Sequence, residues 1–107
     1  MNTEKPIMTA EIKRLSNLLD KQYATELNFR NHCYLRIAYD RVVNNKWDLV
    51  VQKPFVKYAD EDTLQRAIEL LKLYVEDKKQ LQADNEKSLE FRRKDAMNSS
   101  RTNKLNY

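Results

Sequence analysis

Glycine is absent from this sequence, and proline occurs only at Pro6 and Pro54. Tight hairpin turns usually need a residue that tolerates positive φ, so the composition argues against a β-sandwich or an α/β fold. The same absence removes the glycine-rich loops that cradle phosphate in P-loop and dinucleotide-binding proteins. Cys33 is the sole cysteine, so no internal disulfide forms and nothing calls for an oxidising compartment. With His32 as the sole histidine, strong ligands are too few for a zinc-type site, and no metal or cofactor is expected. No run approaches the roughly 20 apolar residues of a membrane span. Residues 1–9 lack the apolar stretch of a signal peptide. The expected setting is the cytoplasm, with no membrane contact.

What is present favours helix. Charged residues make up 34% of the 107 residues, and Leu, Lys, Glu, Arg, Gln and Ala are good helix formers. The length suits one domain with a modest core. After a flexible lead over 1–8, Thr9 is a candidate N-cap. Ile12, Leu15, Leu19, Tyr23 and Leu27 then recur at three- and four-residue spacing, one helical stripe. From Cys33 to Val43 the apolar surface widens beyond what one partner helix covers. Asn44 and Asn45 suit a helix end, because asparagine tolerates the left-handed conformation. The spacing predicts a first helix over about 9–44.

The connector 45–59 is too apolar for a loose linker, with Trp47, Leu49, Val50, Val51, Phe55, Val56 and Tyr58. Pro54 prevents a continuous helix through it. Asp60 offers the next N-cap, and Leu64, Ala67, Ile68, Leu71 and Tyr74 form a second stripe. The periodicity thins over 76–87, where Leu81 and Ala83 are the main apolar residues. It resumes at Leu89 and Phe91, which predicts a second helix over about 61–94. Residues 95–107 are polar and aperiodic and read as a disordered basic tail. The expected fold is all-α: a single helical domain over 9–94, built as a long antiparallel two-helix hairpin with a packed apolar connector. Each helix is near 35 residues, about 50 Å. A second copy would complete a four-helix bundle, which motivates an expected homodimer with coiled-coil-like packing.

Charge narrows the partners. The net charge is +4, yet residues 1–91 hold as many acidic as basic side chains. The whole excess lies in 92–107, so nucleic acid is a candidate partner only through the tail.

One polar row interrupts the apolar part of the first helix. Asn28, His32, Arg36 and Asp40 are spaced by four and share a face. As a site, Arg36 would hold an anion and His32 would move a proton. As a solvated helix edge, the row would need only an Arg36–Asp40 ion pair. Trp47 and Phe55 would cover such a site or simply anchor the connector. Cys33 next to His32 forms no local catalytic pair, since adjacent helical residues point about 100° apart. No catalytic residue is assigned.

The segment Asn31-His32-Cys33-Tyr34-Leu35-Arg36-Ile37-Ala38-Tyr39-Asp40, with Lys46-Trp47-Asp48 and Lys53-Pro54-Phe55, resembles a group of small bacterial, including cyanobacterial, proteins. The resemblance spans about 10–94. Some of that group bear an acetyltransferase label. The resemblance implies a bacterial protein whose residues 28–58 matter, and it carries over no site. The common acetyltransferase fold uses a central sheet and a glycine-containing turn for acetyl-CoA, and this chain has no glycine. Three readings therefore stand. The first is a helical module that binds a protein partner or itself. The second is a small enzyme or ligand-binding protein using His32, Arg36 and Asp40. The third is nucleic-acid association through the tail.

Overall fold

A computed structural model describes residues 4–27, 29 and 31–105, without the side chains of 31 and 98–105. Among the described residues every regular element is helical: α1 (Glu4–Gln22), α2 (Asn31–Val43), a 3-10 turn (Trp47–Leu49), α3 (Phe55–Tyr58), α4 (Glu61–Glu76) and α5 (Lys78–Leu105). None of these helices is long and apolar enough to cross a membrane.

Each of the two long helices expected from the sequence is broken once. α1 starts at Glu4 rather than at Thr9. The Thr9 hydroxyl donates to the carbonyl of Lys5 inside the helix instead of capping it (2.8 Å). Pro6 sits in the first turn, where its missing N–H costs nothing. α1 ends at Gln22, and Tyr23 next to it is buried with its hydroxyl donating to the carbonyl of Tyr74 (2.7 Å). The backbone turns over 23–26, and Leu27 N–H bonds back to Tyr23 (2.9 Å). α2 ends at Asn44, whose φ is 57°. Asn45 N–H closes onto the carbonyl of Asp40 (3.1 Å), a Schellman ending.

The second break falls at Asp77. Its N–H completes α4 on Leu73, and its carboxylate accepts from Gln80 N–H (3.0 Å) at the start of α5. One residue thus ends one helix and caps the next. Asp60 caps α4 through Thr63 N–H (2.8 Å). α5 runs on to Leu105, through most of the segment expected to be disordered. Residues 1–3 of the expected lead, and 106 and 107 of the tail, lie outside the described residues.

The pairing also differs from a hairpin. Lys5 reaches the carbonyl of Lys57 at one end of α1, and Gln22 reaches that of Val75 at the other. α1 and α4 are therefore parallel neighbours. Arg36 meets Asn85 and Ser88, Asp40 meets Arg92, and Lys46 meets Asp95, so α2 and α5 also run parallel. α2 and α4 touch each other, with α1 and α5 on either flank. The wide apolar surface of α2 is consumed this way: Tyr34, Ile37 and Ala38 are fully buried.

Burial fixes the state of the core tyrosines. Tyr34 and Tyr39 are pushed up to about 12, in both chiefly by burial and in Tyr34 secondarily by the Asp20 charge. Tyr74 is pushed far up, first by burial and then by its hydrogen bond to Asp84 (2.6 Å). The unfolded value is about 10. Their protonated forms therefore support the fold below pH 10, and that support is lost as pH rises through about 12. In an alkaline titration Tyr34, Tyr39 and Tyr74 should ionise only as helical ellipticity collapses. Full ionisation near pH 10 with the helix signal intact would contradict this packing.

Candidate functional site

The polar row of α2 divides between fold and surface. Asn28 lies outside the described residues. His32 is exposed, Arg36 half-buried and Asp40 fully buried. The expected Arg36–Asp40 ion pair is replaced by a shared network. Arg92 donates to both carboxylate oxygens of Asp40 (3.0 and 3.1 Å). Ser88 donates to it at 2.5 Å and Trp47 N–H at 2.9 Å. Arg36 donates to Ser88 (2.7 Å) and to Asn85 (2.9 Å). A buried carboxylate needs such partners to stay charged. Asp40 therefore ties α2, the 3-10 turn and α5 together and is not displayed to solvent.

A second buried carboxylate lies nearby. Asp84 accepts from Tyr74, Gln80 (2.9 Å) and Arg41 (3.1 Å). Sequence reasoning missed Asp84, Ser88 and Arg92 because it sought apolar residues on this helix. Their signal was present: Leu81, Asp84, Ser88 and Arg92 continue the three-and-four spacing. Of the two main apolar residues over 76–87, Leu81 is buried and Ala83 is exposed. Arg92 and Asp95, at the start of the basic segment, are anchored to Asp40 and Lys46.

The connector builds an aromatic floor. Phe55 is buried and stacks on Tyr39, with ring centroids 3.7 Å apart and planes 11° apart. Trp47 meets both rings edge-on, at 5.7 and 5.5 Å. The Lys53–Pro54 peptide is cis, and Phe55 follows directly. Trp47 is half-buried, so it anchors the connector and still shows a face. The connector is only partly covered, since Leu49 and Val50 are more than half exposed.

Above this floor runs an open groove of about 620 Å³ between α1, α2 and the connector. Ile12, Leu35, Tyr39, Trp47, Phe55 and Val56 make it apolar, and Lys13, Asn17 and His32 stand along it. It opens into a cleft of about 340 Å³, where His32, Arg36, Asp48, Lys53 and Arg92 gather. His32, Leu35, Tyr39, Trp47 and Lys53 line both. The sequence-derived candidates His32, Arg36, Trp47 and Phe55 thus meet around one surface feature, with Asp40 beneath it. Among the described residues no cluster of His, Cys, Asp and Glu could hold a metal ion. Cys33 is half-buried on α2.

No protein-family model, curated protein or solved structure matches the chain.

Proposed function

We propose that this chain is a small, non-enzymatic binding module whose groove receives a segment of another protein. The observation that carries this reading is an open apolar groove in which half-buried Leu35, Trp47 and Val56 meet solvent, backed by the buried rings of Tyr39 and Phe55. Exposed apolar clefts with rigid aromatic rings suit side chains of a docked peptide. The groove is open rather than enclosed, which suits a docked segment better than a small metabolite.

The alternative, a catalytic face of His32, Arg36 and Asp40, fits less well. Asp40 is committed to Ser88, Arg92 and Trp47, and Arg36 to Ser88 and Asn85. The homodimer loses its motive, since α4 and α5 of the same chain cover the stripes that a hairpin would leave bare. The nucleic-acid reading rested on a free tail, and the start of that segment is tied to α2 and the 3-10 turn.

Trp47 is the sole tryptophan, so its emission reports directly on the groove. A peptide that binds the full chain should shift Trp47 emission, and Leu35→Glu should weaken binding at least about tenfold by placing a charge on the apolar wall. Leu35 is half-buried and packs against the core, so the helical ellipticity of the variant is measured alongside binding. Peptide binding that leaves Trp47 unperturbed and tolerates Leu35→Glu would place the interface elsewhere.

A further inference from the structure

Cations outnumber carboxylates along the groove and in the cleft at its end. The apolar stretch carries Lys13 and Lys53 and no carboxylate. The cleft at its end carries Arg36, Lys53 and Arg92 against Asp48 alone. Counting Asp40 beneath, four cations face two carboxylates. Lys53 reaches Asp48 at 3.6 Å, and Lys46 reaches it at 3.8 Å while bonding Asp95 at 3.1 Å.

The two arginines are held before any partner arrives. Arg92 is clamped by Asp40, and Arg36 by Ser88 and Asn85. A guanidinium has more N–H donors than these bonds use, and both side chains line the cleft. Cations already ordered lose little further freedom on binding an anion. Carboxylate also suits the guanidinium fork. The basic excess at the chain's own C-terminal end makes a second copy's tail a poor occupant.

We infer that the groove's occupant is an acidic amphipathic segment of a partner protein. Its apolar side chains rest on Leu35, Trp47 and Val56, and its Asp or Glu carboxylates lie over Arg36, Lys53 and Arg92. This rests on the groove reading above and adds the sign of the partner's charge. Association is then faster and tighter at low salt, because charges exposed at the cleft rim are screened over about 10 Å at 0.1 M.

The test uses the full chain and a library of amphipathic peptides of about three helical turns. Their apolar positions recur at three- and four-residue spacing, and the remaining positions vary among Glu, Gln and Lys. The wild-type chain should enrich Glu over Gln at least about tenfold at low salt, and 0.5 M sodium chloride should erase most of that preference. Lys13→Glu/Lys53→Glu, two exposed sites, should reverse the preference towards Lys. Selected peptides that perturb Trp47 yet show no preference for Glu overturn the acidic inference and leave the groove reading standing. Selected peptides that leave Trp47 unperturbed overturn both, as does a library from which nothing binds.

Discussion

Asp40→Ala should lower the melting temperature by at least about 12 °C, the largest effect expected of any single polar substitution in this chain. The carboxylate is fully buried and receives Arg92 twice, Ser88 and the Trp47 N–H. Removing it leaves those donors facing a cavity, which costs about 3–5 kcal/mol for a buried pair. A domain of this size holds about 5–15 kcal/mol in total, so the variant lies near its folding threshold. Asp40→Asn keeps an acceptor in place and should lose less, about 1–3 kcal/mol. Circular dichroism melts of the three proteins check the order. An Asp40→Ala protein within about 1 kcal/mol of wild type would mean that α2, the 3-10 turn and α5 are not joined through this residue.

Phe55→Ala is the second large expectation. Phe55 is 2% exposed and stacked on Tyr39. Truncating a buried phenylalanine costs about 3–5 kcal/mol. It also removes the floor on which Trp47 rests, so Trp47 emission should move to longer wavelength in the folded variant. Trp47→Ala should cost less, because Trp47 keeps a face in solvent. Urea denaturation of both variants separates the two. If Trp47→Ala proved the more destabilising, Trp47 would be the buried anchor and Phe55 the accessory.

The helical class was legible because apolar spacing and the absence of glycine point the same way. So were Asp60 as a cap and Asn44 as a stop, since each acts through its own side chain or its own φ. The breaks after Gln22 and at Asp77 were not. The turn follows Tyr23, whose hydroxyl finds an acceptor on Tyr74, distant in sequence, and no local pattern marks that bond. Asp77 reads as one more exposed charge until its carboxylate is seen on Gln80. The polar row of α2 was found, but its partners were hidden. Arg92 and Ser88 resemble surface residues, and only the fold shows that they surround Asp40. Trp47 and Phe55 were singled out as a pair, whereas Tyr39, which completes the floor, was one tyrosine among several.

Docking of a partner segment on the proposed groove can be followed residue by residue. Amide and indole chemical-shift mapping of the full chain, titrated with a peptide selected as above, tests it most directly. Shifts should concentrate at Ile12, Leu35, Tyr39, the Trp47 indole, Lys53 and Val56. A rival groove of about 640 Å³ lies on the α1–α4 face, where Ile7, Met8, Arg14, Ile68 and Lys72 gather. Shifts concentrated on those residues, with the Trp47 indole unmoved, would contradict the account.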